Sequence, residues 1–504
     1  MMLSETLREA ATRFGDRPCL VEPEGATLTF GALHLASERL ARQLAQAGIR
    51  EGDVVALQLP SNFDYVISYC ALARLGAITA GLNPHLAAGE QARILDMLEP
   101  RVVVGIHSTS GGSWPAYDIA EFDIQHEVDK PQVIDPAELD PLPELPPDPE
   151  RPVAIVLTSG TTGLPKGALF RNSQLEAISR IDLGPNWAEV WGIGGAQIAS
   201  TQFAHIGFMT KLPWYIRCGM ATYLLPKWRT ETVMELIDAH RITTLGVIAP
   251  QLAILLRHEA LPRYDLSSVD LIIAGGAASP PALITAASQR FGARYSVRYS
   301  STESGGVGLS NDAGSPEDQI NSVLFPREGV EAGVFLEDGT EAGAGVIGEL
   351  RLRSDAMFAG YWNDPESTQT AVRTGWLHTG DLAQRTPSGG IQLTGRHRDR
   401  YVRGGYNVYP TEVEAVLLDH PSVADVAVVP LSHEVLGSIG AAVVVPTAGA
   451  QVPTLAELRE FCIDRLATWK HPEALVLAES LPYTSGLKLD RAQLASIVAQ
   501  EDSQ

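Results

Sequence analysis

PVAIVLTSGTTGLPKG, residues 152–167, is where the fold of this chain is decided. Pro152 to Leu157 is an apolar run of strand length, and it passes directly into TSGTTGLPKG, Thr158 to Gly167. Gly160, Gly163 and Gly167 carry no Cβ, so backbone amides there close on an anion. The hydroxyls of Thr158, Ser159, Thr161 and Thr162 add donors, and Lys166 adds a charge. Such a loop is built to hold phosphate. It is not a Walker A loop, which has Gly immediately before the Lys; here Pro165 takes that place. The bland alternative is a glycine-rich turn between strand and helix. Ser173 and Glu176 have capping-box spacing, which predicts a helix just after the loop region.

Upstream, Leu33, Ala36, Leu40, Leu44 and Ala47 fall on one face of a helix that Gly48 is placed to end. Val54 to Leu59 reads as a buried strand, Ser61 as the cap of a helix reaching to about Leu75, and Ala77 to Leu82 as a second strand. This alternation predicts a parallel sheet covered on both faces, an α/β class. Residues 131–152 carry too many prolines for a helix or an inner strand. They read as a surface connection, either a linker between domains or a long loop inside one α/β region; the similar pattern on both sides favours the loop. After Gly395 comes the basic turn RHRDRYVRGG. Helix Thr411 to Leu418, strands Val423 to Val429 and Ala441 to Val445, and helix Leu455 to Leu466 follow, a small α+β domain. The expected division is 1–397 and 398–504.

With 504 residues and 45% hydrophobic content, the chain exceeds one ordinary core. Its 38 Lys and Arg face 60 Asp and Glu, a formal charge of −22. The average field therefore repels nucleic acid and anionic membrane, and any anionic ligand must meet a local group of cations. Cys19, Cys70, Cys218 and Cys462 have no metal-ligand or redox spacing, which fits a reducing cytoplasm. The N-terminus mixes acids and bases at helical spacing and does not read as a signal peptide, and no stretch has the length of an integral membrane segment.

In order along the chain stand TSGTTGLPKG (158–167), QFAHIG (202–207), AGGA (274–277), YSSTE (299–303), GYWNDPE (360–366), WLHTGD (376–381), GRHRD (395–399), GGYNVYPTEVE (404–414) and YTSGLK (483–488). Together they resemble the adenylate-forming superfamily of acyl-CoA synthetases, peptide-synthetase adenylation domains and luciferases. The resemblance implies a large N-terminal domain of parallel and mixed sheets with a small mobile C-terminal lid. It implies ATP and CoA as co-substrates and Mg²⁺ as cofactor. The activity expected is that of an acyl-CoA synthetase of the fatty-acid or aryl-acid type, an acid–thiol ligase that makes an acyl-adenylate and passes it to CoA.

The same resemblance assigns residues. Thr302 and Glu303 face the nucleotide phosphate, with Glu303 on Mg²⁺, a metal that keeps much of its shell from water and phosphate, and Tyr299, Ser300 and Ser301 belong to the same cofactor-binding segment. Gly275, Gly276 and Ala277 present a flat surface to adenine. Asp381 takes the ribose hydroxyls, with Arg396 as a second contact. Arg398 is the hinge, Gly404 and Gly405 belong to the face presented for thiol transfer, and His205 borders the acyl channel. Lys488 is the catalytic lysine. A carboxylate and an α-phosphate about 4 Å apart repel by roughly 4 kcal/mol at an effective dielectric of about 20, and a lysine reaching both lowers that barrier. Taken singly, each of these residues also has an ordinary reading: solvated Glu and Lys, a turn Asp, a strand-end turn, a packed His.

The chain departs from the family pattern at Leu487, where Gly usually precedes the lysine, at Ser300, which replaces a Gly on the acyl path, and at Arg398, usually Asp or Lys. Arg396, Arg398, Arg400 and Arg403 read either as a solvated face or as the cationic cluster for ATP and CoA; focused potential favours the second. Ala204-His205 supplies no acid for an α-ammonium group, so an amino-acid substrate is disfavoured. The chain ends soon after Lys488, so the thiol acceptor is expected to be diffusible or a separate acyl carrier protein. Two alternatives stay open: a ligase serving a carrier protein or an amine, and a nucleotide-binding regulator with weakened turnover. Oligomeric state, monomer or homodimer, is not set by the sequence.

Overall fold

A computed structural model describes residues 2–502 except 24, 87, 107–113, 123–141, 143, 159–164, 200, 226, 277–278, 397–398, 400, 404–405, 434, 464 and 484–488. The chain divides into two compact units. One comprises 1–313, 325–331 and 352–377, the other 314–324, 332–351 and 378–504. The strands Trp376–Arg385 and Ile391–Arg396 thus lie mostly with the C-terminal residues, although they precede the break placed at 397 from sequence.

In the first unit the alternating pattern builds a seven-stranded sheet. Its order is Gly360–Tyr361, Lys166–Arg171, Pro152–Thr158, Ile78–Gly81, Val54–Gln58, Val102–Gly105, Ala116–Asp118. From Pro152–Thr158 outward to Ala116–Asp118 the pairings are parallel, and the inner strands are buried on both faces, which is why they read as continuous apolar runs. Thr79 pairs with Ala154, so the chain on either side of the proline-rich stretch belongs to one sheet, and the long-loop reading holds. Most of that stretch, 131–141 and 143, lies outside the described residues. A second sheet sets Thr244–Val247, Leu271–Gly275 and Arg294–Tyr299 in parallel and adds two short antiparallel strands, Leu309–Ser310 and Phe325–Pro326.

Helix Phe30–Gln46 buries Leu33, Ala36, Leu40 and Leu44, the face the spacing predicts. Helix Phe63–Leu75 is capped by Asn62, whose Oδ1 accepts from the Tyr65 amide at 3.3 Å, and not by Ser61. Ser61 Oγ instead accepts from the Phe203 amide at 3.0 Å, a tertiary partner invisible to local spacing. The helix expected near Ser173 is present, starting at Asn172. Lys166–Arg171 first returns antiparallel to Pro152–Thr158 with Thr158 opposite Lys166, and helix Asn172–Leu183 follows. Its first turn is set by the Gln174 side chain accepting from the Arg171 amide at 2.9 Å, so the Ser173–Glu176 box is not what starts it.

In the second unit Val423–His433 and Gly437–Pro446 form a longer hairpin than the sequence predicts, with Ala474–Leu477 parallel to its second strand. Both faces are covered. Val426, Val428, Ala442 and Val444 pack with Val413 and Leu417 of helix Pro410–Leu418, while Ala427, Val429, Ala441 and Val443 pack with Leu494 and Val498. Two apolar faces explain why these strands carry unbroken aliphatic runs.

One buried ionic cluster ties the first unit together. Asp182, near the end of helix Asn172–Leu183, accepts from Lys211 Nζ and Arg327 Nη1 at 2.7 Å each. Burial pushes the Asp182 carboxyl up, but Lys211 and Arg327 outweigh it and hold the carboxyl below its usual range. Removing the carboxylate strands the buried Lys211 and the half-buried Arg327, so Asp182→Ala should destabilise the protein by about 3–5 kcal/mol. A thermal unfolding midpoint equal to that of the wild type would refute the role given to this cluster.

Candidate active site

The loop 159–164 is closed at its base by the Thr158–Lys166 pair, so the antiparallel ladder fixes the start of Lys166. On the other edge of Lys166–Arg171 runs Gly360–Tyr361, also antiparallel, with Tyr361 opposite Ala168. The Trp362 amide donates to the Gly167 carbonyl at 2.7 Å and the Ala359 amide to Leu169 at 2.8 Å. Gly167 is required by this packing: a Cβ there would stand 2.7 Å from Ile155 Cγ2.

The second sheet delivers the other half. Gly275 pairs with Arg298, so AGGA and YSSTE emerge side by side at the C-terminal ends of neighbouring parallel strands, the place where open α/β sheets receive ligands. Beyond Tyr299 the chain makes a tight turn. Ser304 Oγ accepts from the Ser301 amide at 2.9 Å, and Ser301 Oγ accepts from the Ser304 amide at 3.1 Å. The Gly305 amide donates to the Thr302 carbonyl at 3.0 Å. Gly305 has φ +77°, and a side chain there would collide with the Ala356 carbonyl. Ser300 is exposed at the start of this turn, while Ser301, Thr302 and Glu303 are half-buried.

The two halves meet on one side chain. Tyr361 donates its hydroxyl to Glu303 Oε1 at 2.7 Å, and Lys166 Nζ lies 5.0 Å from the centre of the Tyr361 ring. Lys166 Nζ also donates to Ser367 Oγ at 2.6 Å, and the Phe358 amide donates to the Glu303 carbonyl at 2.9 Å. Burial, and then the charge of Glu303, push the Tyr361 phenol up, so it stays a neutral donor. Asp364 accepts from the Ser367 amide at 2.9 Å; the Ser367 hydroxyl and then this amide, more than the nearby Lys166, hold its carboxyl below the usual range. The Lys166 ammonium and the Glu303 carboxylate thus share one aromatic neighbour.

Among the described residues no three His, Cys, Asp or Glu side chains converge into a metal site. A lone, half-buried carboxylate such as Glu303 fits a Mg²⁺ that takes its remaining ligands from phosphate and water.

In the second unit Asp381 is buried and stands opposite Arg396 in the ladder between Trp376–Arg385 and Ile391–Arg396. The strand end bearing it is pinned from one carboxylate. Glu349 accepts from the Gly380 amide at 3.3 Å and pairs with His378 Nδ1 at 2.8 Å and Arg351 Nε at 2.9 Å. Thr379 Oγ1 donates to the Leu350 carbonyl at 2.6 Å and accepts from the Asp381 amide at 3.1 Å.

Residues 7–362 match the family described as AMP-binding enzyme, and residues 412–488 match the AMP-binding enzyme C-terminal domain. The chain belongs to the AMP-binding enzyme family. It is similar to the 2-succinylbenzoate–CoA ligase of Geobacillus kaustophilus, 30% identical over 94% of either chain. It is also similar to the long-chain-fatty-acid–CoA ligase of Bacillus subtilis, 29% identical over 98% of this chain and 94% of that one. Among solved structures, the amide bond synthetase McbA from Marinactinospora thermotolerans superposes with a TM-score of 0.85, at 26% identity over 98% of this chain and 99% of that one. The adenylate-forming ligase read from the sequence is therefore borne out, as is its α/β architecture with a small C-terminal domain.

Within this AMP-binding enzyme, Thr158, Lys166, Gly275, Gly276, Tyr299 to Glu303 and His205 all lie in the first unit, and Asp381 and Arg396 in the second. Ser159, Gly160, Thr161, Thr162, Gly163, Ala277, Arg398, Gly404, Gly405 and Lys488 lie outside the described residues. The segment holding Lys488 is framed by a Tyr483–Leu489 bridge and an Asp490 amide donating to Pro482 at 2.9 Å. His205 is exposed; its Nδ1 accepts from the Gly207 amide at 3.2 Å and caps the short helix Ile206–Met209. Arg403 is not an open cation: its Nε and Nη2 grip Glu473 at 2.7 Å each, while Arg400 lies outside the described residues.

Sequence reading quoted GYWNDPE without giving Tyr361 a task. The available signal was an aromatic hydroxyl in a motif that pairs with the phosphate loop, but the pairing itself is tertiary. Tyr361→Phe keeps the ring beside Lys166 and deletes the bond to Glu303. It should lower kcat/KM for MgATP by about tenfold and raise the Mg²⁺ concentration for half-maximal rate, with the unfolding midpoint unchanged. A wild-type Mg²⁺ activation curve would remove Tyr361 from the site.

Proposed function

We propose that this enzyme activates a fatty or aryl carboxylic acid with MgATP and transfers the acyl group to the thiol of CoA. The observation that supports the reading is the junction of Lys166, Tyr361 and Glu303, an ammonium suited to phosphate and a carboxylate suited to a divalent cation on either side of one phenol. Mg²⁺, bound through Glu303, would supply charge neutralisation on the phosphates. Lys166 and the loop amides hold the leaving pyrophosphate, and Gly275, Gly276 and Ala277 border adenine. Asp381 and Arg396 take the ribose. The substrate carboxylate attacks the α-phosphorus, the bond to the pyrophosphate oxygen breaks, and Lys488 offsets the repulsion between the reacting anions. The thiol then attacks the acyl carbon of the mixed anhydride and AMP leaves.

The relatives' names support aryl and fatty acids as the substrate class. His205, on a segment whose neighbour Ile206 lies against Gly306, is proposed to border the acyl path, and Ser300 to narrow it. Arg398, between the two matched segments, is proposed as the pivot of 398–504, with Gly404 and Gly405 on the face used for thiol transfer. The cytoplasm is proposed as the compartment, in keeping with four buried free cysteines, of which Cys70 has its thiol pushed up to about 12 by burial. Among the described residues no helix is long and apolar enough to cross a membrane.

The likeness to an amide bond synthetase favours a second reading, in which an amine replaces the thiol. Hydroxylamine trapping of acyl-adenylates across fatty, branched, aromatic and dicarboxylic acids, with and without CoA, tests both. Acyl-CoA formation supports the first, and amide formation from a supplied amine without CoA supports the second. Acid-independent or absent pyrophosphate release would leave only a nucleotide-binding regulator.

Lys488→Ala should abolish adenylation yet leave thiolysis of a supplied acyl-adenylate largely intact. Equal loss of both steps would refute a role confined to adenylation.

A further inference from the structure

Helices Leu3–Phe14 and Phe30–Gln46 pack through apolar faces that include Leu3, Leu7 and Ala10 on one and Leu33, Ala36 and Leu40 on the other. The polar stripe of the second helix, His34, Glu38, Arg39 and Arg42, would ordinarily face water. Here residues 144–147, together with the helix, border a half-open cavity of about 550 Å³, within the range of small-molecule sites. This segment is anchored. Arg74 Nη2 donates to the Leu142 carbonyl at 3.2 Å and Arg151 Nη1 to the Pro146 carbonyl at 3.0 Å. Leu145 rests on Gly76, where a Cβ would meet Leu145 Cδ1 at 3.1 Å.

Four arginines line this space: Arg8, Arg39, Arg42 and Arg74. With 38 basic residues in 504, its fourteen lining positions would carry about one at the chain average, so the cluster runs against an acidic protein. Glu38 is shared between Arg74 Nε at 2.9 Å and Arg42 Nη2 at 3.6 Å, and the Arg8–Glu144 pair, 4.0 Å apart and exposed, is worth little. Glu5 adds one further carboxylate. Arg39 makes no ion pair among the described residues and is half-buried. Leu35, Leu145 and Pro146 give the same cavity an apolar side. Burial lowers His34, against the pull of Glu38, so its imidazole enters as a neutral hydrogen-bonding group. None of Lys166, Glu303, Tyr361 or Asp381 lines this cavity.

We propose that this cavity is a second ligand site, separate from the nucleotide site, for a small organic anion with an apolar body. A carboxylate or phosphate head lies on Arg39, and the body lies against Leu35 and Leu145. The inference does not depend on the reaction assigned above, because occupancy is read without turnover.

The test is calorimetric titration of the full-length protein with octyl phosphate and with octanoate, beside inorganic phosphate and octyltrimethylammonium chloride. Hydrogen exchange on the same samples locates the binding. At least one of the two amphiphilic anions should bind, the ammonium compound should not, and protection should rise across 34–42 and 144–147. Arg39→Gln should weaken the binding about tenfold, the loss of one charge-assisted contact. Which head group binds more tightly distinguishes carboxylate from phosphate ligands. Wild-type affinity in Arg39→Gln, protection confined to 202–207 and 299–306, or equal binding of the ammonium compound would each overturn the proposal. Should Arg39→Gln fail to fold, the wild-type exchange map decides: no protection at 34–42 refutes the site.

Discussion

The nucleotide site depends on the position of one strand, Lys166–Arg171, held between Pro152–Thr158 and Gly360–Tyr361. The first pairing closes the glycine-rich loop into a hairpin and places Lys166 at its base. The second brings Tyr361 from far along the chain to the same lysine, and through Tyr361 the carboxylate of Glu303. Each charged group has a neutral partner, Ser367 Oγ for Lys166 and the Tyr361 hydroxyl for Glu303. These are bonds that an incoming phosphate or cation can replace without breaking an ion pair.

Charge economy runs through the rest of the protein. A chain at −22 keeps its cations where they hold structure or ligands. Arg403 is spent on Glu473, and Lys211 and Arg327 on Asp182. Arg491 reaches Glu414, whose burial raises its carboxyl pKa against the pull of that arginine. Lys166 is held by a hydroxyl and an aromatic face, which leaves its charge for a ligand.

Elements whose signal is local matched the sequence closely. The helical stripe from Leu33 to Leu44 and the buried strands at 54–58, 78–81 and 152–158 carry their burial pattern in their own residues. Errors arose where a side chain had a distant competitor. Ser61 gave up its helix to bind the Phe203 amide, and the helix expected at Ser173 starts at Asn172 with Gln174, not the Ser173–Glu176 box, closing its first turn. His205 also has a local bond that spacing alone does not show, its Nδ1 capping the short helix Ile206–Met209. The basic turn read as one cationic cluster, yet Arg403 within it is bound by Glu473, seventy positions away in the chain.

By itself the sequence determined the class of fold, the family, and the chemistry of the phosphate loop, because periodicity, glycine spacing and ordered motifs are properties of neighbouring residues. Only the tertiary structure decided which of the candidate groups meet. Tyr361 joins Lys166 to Glu303 by sheet pairing, and residues 144–147 border the arginine-lined cavity beside helix Phe30–Gln46. Both juxtapositions come from backbone hydrogen bonds and burial between segments remote in the chain, and no local pattern encodes them.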